Sequence, residues 1–411
     1  MSGFVKETLP RIETLDVIKQ ALNFPWEVKK QKGDLLAAVG KRLAEDVYAS
    51  ENYPPFSRST RDGYAVRAID TLGASQTSPS FLEVIGEIQM GIIPDIEITE
   101  GTAALIYTGA ALPKGADAVV MVEYTSALQN TLEIRKPVQR GENVIIRGED
   151  VEKGKLLLKK NSLFDFRSAS LLSGLGIVQV KVIDLSIGVI STGDEIVPED
   201  TPVIEPGKVR DSNSTMIAAL LMREGYGVKK YGIARDDIED LMRMTIKAME
   251  ENDVVILSGG SSVSSRDFTL DVMNNIGEPG LVVRGLNISP GKPTLVGGNR
   301  ENQKLVIGLP GHPLSCSVVM LTFVLPLLSS LSGAEEDSIW KKRISLPAGK
   351  DIYGRSGVEE FIPAVVDEEV VNPSMAKSGF VSALQSADGL VRLPEDKETI
   401  RKGEFVEVWL W

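Results

Sequence analysis

The stretch Asp253-Val-Val-Ile-Leu-Ser-Gly-Gly-Ser-Ser-Val-Ser-Ser-Arg-Asp-Phe-Thr269 constrains the fold of this chain more than any other. Asp253 to Ser258 is a short apolar, β-branched run, the texture of a strand buried on both faces of a parallel sheet. It stops at Gly259-Gly260, where a backbone without side chains can turn tightly and approach a ligand. Small hydroxylic residues follow from Ser261. Asp267 then opens a segment with Phe268, Val272 and Ile276 at helical spacing, with Ser264 or Ser265 as N-cap. Strand, glycine-rich loop and helix N-terminus together make an anion cradle, because unpaired backbone N–H groups and the positive end of the helix dipole converge there. The same residues also fit an ordinary strand-to-helix turn, so the flanking pattern has to decide.

That pattern is regular. From Leu185 strands alternate with helices: Ser186 to Ile190 reads as a strand followed by the loop Ser191-Thr-Gly-Asp-Glu195. Asp211-Ser-Asn-Ser214 caps a helix with Ile217, Leu220 and Leu221 on its buried side, and Val228 to Ile233 is the next strand, leading to Arg235-Asp-Asp237. Ile238 to Glu250 reads as a helix with Leu241, Met242, Ile246 and Met249 inside. Lys304 to Ile307 is a further strand, and its loop Gly308-Leu-Pro-Gly-His-Pro313 enters a long helix reaching Leu331. This is a doubly wound α/β domain, in which ligands bind outside the carboxyl ends of the strands; every loop just named follows a strand.

The flanking regions have a different texture. Ile12, Leu15, Ile18 and Leu22 place an amphipathic helix at the start. Pro54-Pro55 closes that section, and Asp62-Gly63 reads as a type I′ or similar turn leading into a strand. Phe81 to Glu152 is short β-prone segments (Leu82 to Ile88, Ala103 to Tyr107, Ala118 to Glu123, Leu132 to Ile134, Asn143 to Ile146) punctuated by glycine and proline, a β domain. Phe166 to Leu172 is helical with Gly174 as its C-cap. Beyond Gly333, Ile344, Phe361 to Val366, Val370-Val371, Leu390 to Leu393 and Phe405 to Trp411 are strands of a small C-terminal barrel or sandwich.

Composition limits the chemistry. A chain of 411 residues divides into three or four domains, and a net charge of -12 argues against nucleic acid or anionic membrane as main partner. One cysteine, Cys316, and one histidine, His312, exclude an internal disulfide framework and zinc sites built on His/Cys clusters, which leaves acid-base and metal chemistry to carboxylates, lysines and hydroxyls. Met1 to Pro10 has no apolar core, and the run Val318 to Leu328 is shorter than the ~20 residues of a membrane span, so the cytoplasm is the expected compartment. Asp194, Glu195, Asp236, Asp237 and Asp267 fall on the expected binding edge, where oxygen ligands beside a phosphate cradle suit Mg2+. Lys292 in Ser289-Pro-Gly-Lys-Pro293 supplies a cation. Each of these residues taken alone also fits a capping or solvated role.

Seven motifs in order give the chain a resemblance to the molybdopterin molybdenumtransferases, the MoeA and gephyrin E-domain family, over nearly its whole length. They are Asp62-Gly-Tyr-Ala65, Tyr107-Thr-Gly109 with Gly115-Ala-Asp-Ala-Val119, Gly148-Glu-Asp150, Ser191-Thr-Gly-Asp-Glu195, Ser258-Gly-Gly-Ser261, Pro290-Gly-Lys-Pro293 and Gly308-Leu-Pro-Gly311. The resemblance implies a multidomain α/β plus β protein: an elongated N-terminal linker domain (1–53 with 141–180), an inserted β domain (54–140), a doubly wound molybdopterin-binding domain (181–332) and a C-terminal β-barrel (333–411). It implies insertion of molybdate, or tungstate, into adenylated molybdopterin with release of AMP, assisted by Mg2+. It also implies a homodimer supplied by an upstream molybdopterin adenylyltransferase.

Carried over by position, Asp62, Thr108, Asp150, Glu195, Asp236 and Asp267 are catalytic, and Glu195, Asp236 and Asp267 hold the metal. Ser191, Thr192, Gly193, Ser258, Gly259, Gly260 and Ser261 bind the ligand, together with Lys292, Pro293, Pro310, Gly311, Arg355 and Ser378. Two positions depart from the family pattern: Ser289 stands where many relatives have lysine, and His312 where many have asparagine, with His312 expected to be a packing residue. The competing readings are a molybdopterin adenylyltransferase and a non-catalytic, gephyrin-like scaffold.

Overall fold

The computed structural model describes residues 6–259, 268–331, 343–374 and 377–411. Gly260, Ser261, Asp267 and the expected N-caps Ser264 and Ser265 lie outside the described residues. The chain forms two compact units: residues 1–45, 161–165 and 181–411 make one, and residues 46–160 with 166–180 make the other.

The first unit is built on a seven-stranded sheet, in the order 6–9, 279–286, 295–299, 304–309, 254–258, 186–192, 227–234. The last four are mutually parallel, with Ser191 opposite Ser258 and Ser258 opposite Leu309. Val254 to Ser258 is buried throughout, and its side chains alternate between two cores. Val254 and Ile256 join Ile187, Val189, Leu305 and Ile307 on one face, while Val255 and Leu257 join Ile190, Leu241, Met249 and Val306 on the other. A period of two sends successive side chains to opposite faces, and helices on both faces require every one to be apolar. The helices Asn213–Arg223 and Ile238–Glu251 occupy opposite faces, since Ile217 and Leu221 belong to the first core and Leu241 and Met249 to the second. Ile246, expected inside, is 46% exposed: the segment 238–251 places it on the outer side.

Three strands of this sheet escape pattern reading. Lys6–Leu9 pairs in parallel with Pro279–Leu286, which runs antiparallel to Leu295–Asn299. The hairpin contains Pro279, Gly280, Gly285, Gly297 and Gly298, residues that dilute a strand signal. Gly297 is needed because a Cβ there would sit 2.7 Å from the Gly280 carbonyl oxygen. The opening helix Arg11–Leu22 packs Leu15, Ile18 and Leu22 into the first core.

The apolar segment 313–331 is helical, with a π-helical turn at Met320–Val324, and is buried in the same core. Pro326 has no N–H to offer the carbonyl of Thr322. The Arg11 guanidinium donates to that carbonyl instead, through Nη1 at 3.4 Å. The C-terminal part of the unit is a six-stranded sheet including Arg343–Pro347, Glu359–Asp367, Val370–Pro373, Gly389–Leu393 and Phe405–Leu410, with Ile288–Ser289 as its sixth member.

The second unit carries its own six-stranded sheet, in the order 118–121, 63–66, 102–106, 80–88, 131–134, 125–128. Gly63 does not form the expected hairpin turn. It begins the strand Gly63–Val66, which is paired on both sides, and a Cβ there would meet the Val120 carbonyl oxygen at 2.0 Å. The helix expected over Phe166 to Leu172 runs to Gly174, and the left-handed residue that follows it is Gly176, at φ +69°.

Candidate functional site

The strand 186–192 has its sequence successor 227–234 on one side and 254–258 on the other, so the strand order reverses between 186–192 and 254–258. Helices leave in opposite directions there, opening a crevice outside Thr192 and Ser258. A cleft of about 1130 Å³ lies at this edge.

Both strand ends reach it. Ser191 and Thr192 line the cleft although each is only 2% exposed, and Ser191 Oγ donates to Asp211 Oδ2 at 2.7 Å. The same Asp211 carboxylate accepts from Ser214 N at 3.0 Å and Ser214 Oγ at 2.6 Å, so the residue that caps the helix also fixes the strand end. Ser258 and Gly259 form the adjoining wall. Gly259 has φ +112°, and a Cβ on it would lie 2.1 Å from the Thr192 carbonyl oxygen, so glycine is required there by the neighbouring strand end itself.

The remaining walls come from farther along the chain. Lys292 and Pro293 from the loop 290–293 after the strand Ile288–Ser289, Pro310 and Gly311 after the strand Lys304–Leu309, and Arg355 and Ser378 from the C-terminal part all line the cleft. Arg355 donates through Nη2 to Ser289 Oγ at 3.4 Å and pairs with Glu360 at 3.2 Å. His312 is not a packing residue: it is exposed in the cleft, with Nδ1 3.0 Å from Ser378 Oγ. The reason is local, since Pro313 starts the helix and holds His312 as its extended N-cap, outside the buried helical face.

Glu195 also lines the cleft and is exposed. Gly193 is buried at φ +141° behind it, and a Cβ on Gly193 would meet the Glu195 carboxylate at 2.7 Å. Asp236 does not border the cleft but braces the loop: it accepts from Thr192 Oγ1 at 3.4 Å and Asp194 N at 3.3 Å, while its own N donates to Asp194 Oδ1 at 3.2 Å. Asp237 is a helix cap, accepting from Asp240 N at 2.9 Å. Among the described residues no three His, Cys, Asp or Glu side chains converge as a metal site.

Asp62, Thr108 and Asp150 belong to the second unit. Asp62 Oδ1 accepts from Thr108 N at 2.7 Å and Thr108 Oγ1 at 2.9 Å, and these two bonds hold the exposed carboxyl below its ordinary range. Asp150 is exposed, and its N donates to the Tyr53 carbonyl at 3.3 Å.

Pattern reading missed three cleft residues. Asn213 was covered by the capping pattern of 211–214. Lys208 and Arg210 stand in none of the motifs. Lys208 Nζ donates to the Asp194 carbonyl at 2.6 Å, and Arg210 donates to the carbonyls of Thr201 and Pro202. With Lys292 and Arg355 they give the cleft, among the described residues, four cationic side chains against the carboxylates of Glu195 and Asp211.

Comparison with known proteins agrees with this architecture. Residues 9–176 match the family model for the MoeA N-terminal region (domain I and II), 188–330 that described as "Probable molybdopterin binding domain", and 345–411 that for the MoeA C-terminal region (domain IV). A relative in Methanocaldococcus jannaschii is 37% identical over 99% of both chains. A molybdopterin molybdenumtransferase of Staphylococcus aureus is 33% identical over 90% of this chain and 88% of the relative. A crystal structure of the molybdopterin biosynthesis MoeA protein of Pyrococcus horikoshii is 30% identical with a TM-score of 0.84, covering 98% of this chain and all of that one. A second, 37% identical, has a TM-score of 0.80 over 98% and 99% of the two chains. With all three regions of the family matched in order and relatives above 30% identity over most of the chain, the protein belongs to the MoeA family, the molybdopterin molybdenumtransferases of molybdenum cofactor biosynthesis.

Proposed function

We propose that the protein inserts molybdate, or tungstate, into adenylated molybdopterin and releases AMP. The observation that carries this reading is the cleft at the sheet's switch point: in a chain of net charge -12 its described residues present four cations against two carboxylates. Its volume of about 1130 Å³ exceeds the ~300–1,000 Å³ of pockets for drug-sized ligands, as a pterin joined to a nucleotide requires. Lys292 and Arg355 are assigned to the phosphates and the oxyanion, where fixed positive charge stabilises the charge that develops as the phosphoanhydride bond breaks and AMP departs. Ser191, Thr192, Ser258 and Gly259 bound the ligand from the strand side. Asp62, Thr108 and Asp150 are kept as catalytic residues on the strength of the motifs in which they stand.

Glu195, Asp236 and Asp267 are assigned to Mg2+. The donor set is oxygen only, which this ion takes, and Asp236 bonds Thr192 and Asp194, the residues just before Glu195 in the chain. Bound there, the ion would neutralise charge on phosphate oxygens. The matches outside the α/β domain, at 9–176 and 345–411, favour insertion over the adenylyl transfer of a stand-alone enzyme.

The test is incubation with adenylated molybdopterin, Mg2+ and either molybdate or tungstate, following AMP release. Oxyanion-dependent release supports insertion. Adenylation of molybdopterin from ATP would identify an adenylyltransferase, and binding with neither turnover would leave a scaffold. An upstream molybdopterin adenylyltransferase supplies the substrate, and the cytoplasm is the matching compartment. We read the enzyme as a homodimer, for which light scattering should give twice the 44.5 kDa chain mass.

A further inference from the structure

Two consecutive carboxylates of the strand Glu359–Asp367 are buried, and a period of two sends them to opposite faces. Glu359 is neutralised by Arg11 and Arg392, cations that are largely buried themselves. Glu360, 7% exposed, is arranged differently: among the described residues its ion pair is with Arg355, Nε to Oε1 at 3.2 Å, and the side chain of that arginine is 75% exposed. A buried carboxylate requires a partner. Here the partner is a side chain of the cleft.

The ladder fixes where that side chain lies. Ser289 stands directly opposite Glu360 in the parallel pairing of Ile288–Ser289 with Glu359–Asp367, so the two side chains share a face. Arg355 spans both, with Nε at Glu360 and Nη2 donating to Ser289 Oγ at 3.4 Å. Ser289 lines the cleft as well, so the guanidinium end is held against the cleft wall. The backbone that carries Arg355 is fixed independently: Gly354 N donates to the Glu398 carbonyl at 2.8 Å, Gly357 N to the Glu395 carbonyl at 2.9 Å, and Asn287 Nδ2 to the Gly357 carbonyl at 2.7 Å. A Cβ on Gly354 would sit 2.9 Å from Glu360 Oε2, so glycine lets this backbone pass over the carboxylate. Only the long side chain of Arg355 still needs an anchor, because an unheld arginine surrenders its rotamer freedom when an anion binds. The two contacts engage Nε and one hydrogen of Nη2, and the other hydrogens of Nη1 and Nη2 suit bidentate recognition of a phosphate.

We propose that Glu360 is a positioning residue: it holds the Arg355 guanidinium at the cleft wall, ordered before the ligand arrives, in the geometry that receives a phosphate of the substrate. This deepens the reading of the cleft and rests on the assignment of Arg355 to the ligand. Charge alone predicts the opposite sign, since deleting a carboxylate beside an anion site raises anion affinity. Positioning predicts a loss.

The test is calorimetric titration of the full chain with a pterin bearing a phosphate-ended substituent at C6, and with the same pterin ending in a hydroxyl. Arg355→Met should weaken the phosphate ligand by about tenfold. Glu360→Gln should weaken it by about fivefold, leave the hydroxyl ligand unchanged, and add less than about twofold to Arg355→Met in the double variant. Equal or tighter binding of the phosphate ligand by Glu360→Gln, where Arg355→Met weakens it, overturns the proposal. A loss that is equal for both ligands, or that persists in the double variant, overturns it too, because a carboxylate that merely supports the sheet would give that result. If Glu360→Gln does not fold, Glu360→Met is measured in its place against the same outcomes. An Arg355→Met protein that binds the phosphate ligand like the wild type rejects the assignment of Arg355, and the proposal with it. Failure of the wild type to bind either pterin rejects the pterin reading on which both stand.

Discussion

Replacing Arg11 with methionine should cost about 3 kcal/mol of stability, and the structure shows how that figure arises. Arg11 is 2% exposed and its guanidinium is bidentate to Glu359, Nε to Oε2 at 2.9 Å and Nη2 to Oε1 at 3.0 Å. It lies 5.2 Å from the Trp409 ring centre and 5.6 Å from that of Phe361. Removing one partner of a buried ion pair typically costs ~3–5 kcal/mol, because the other charge stays buried. The low end applies here, since Arg392 also bonds Glu359 and keeps part of its charge neutralised. Methionine retains the apolar stem, so the loss reports the charge and the bonds. The assay is guanidinium unfolding followed by tryptophan fluorescence. A change under ~0.5 kcal/mol, the range of ordinary surface substitutions, would refute the reasoning. The pH dependence supplies a second check. Burial alone would raise the Glu359 pKa, but hydrogen bonds and charge from Arg11, then Arg392, outweigh it and hold the carboxyl below its ordinary 4.5. A depressed acid contributes stability that is fully present above the unfolded pKa and lost as pH falls through the folded one. The gap between wild type and Arg11→Met should therefore be constant near neutrality and close on acidification below pH 4.5.

Lys292→Met should weaken binding of the phosphate-bearing pterin by about tenfold and reduce the salt dependence of that binding, as removal of a cation facing an anion requires; calorimetry at two salt concentrations with unchanged affinity would remove Lys292 from the site. Thr108→Val deletes one of the two bonds that depress Asp62, so the Asp62 carboxyl should titrate at higher pH, toward its ordinary range, and the acid limb of activity should move with it. A carbon-13 titration of Asp62 that does not move contradicts this. Cys316 is fully buried and desolvation pushes its thiol up to about 12, so a thiol reagent at neutral pH should label the denatured chain and leave the native one unmodified.

Local periodicity and turn chemistry sufficed for the α/β core: the run Val254 to Ser258, the helix ending at Glu251 and the Asp211 cap are properties of neighbouring residues, each imposed by backbone geometry over one or two turns. The same holds for the strand-end loops, because a strand followed by glycine and a helix puts its loop at one edge of a parallel sheet. Relations between distant residues could not be read this way. The strands Lys6–Leu9, Pro279–Leu286 and Leu295–Asn299 carry little pattern of their own and exist because their backbone groups find partners, Lys6 opposite Val283 and Pro279 opposite Asn299. Arg11 and Glu359 meet across 348 positions. Gly259 is visible as a glycine, but the Thr192 carbonyl that demands it is not. His312 escaped burial because Pro313 begins the helix one residue later. The sequence by itself determined which segments are strands, helices and loops wherever adjacent residues settle the matter. Only the tertiary structure decided that the amide of Asn213 spends both donors on Ser258 and Gly311 and ties the helix start to two strand ends, because hydrogen-bond satisfaction depends on every group within reach and not on the order of the chain.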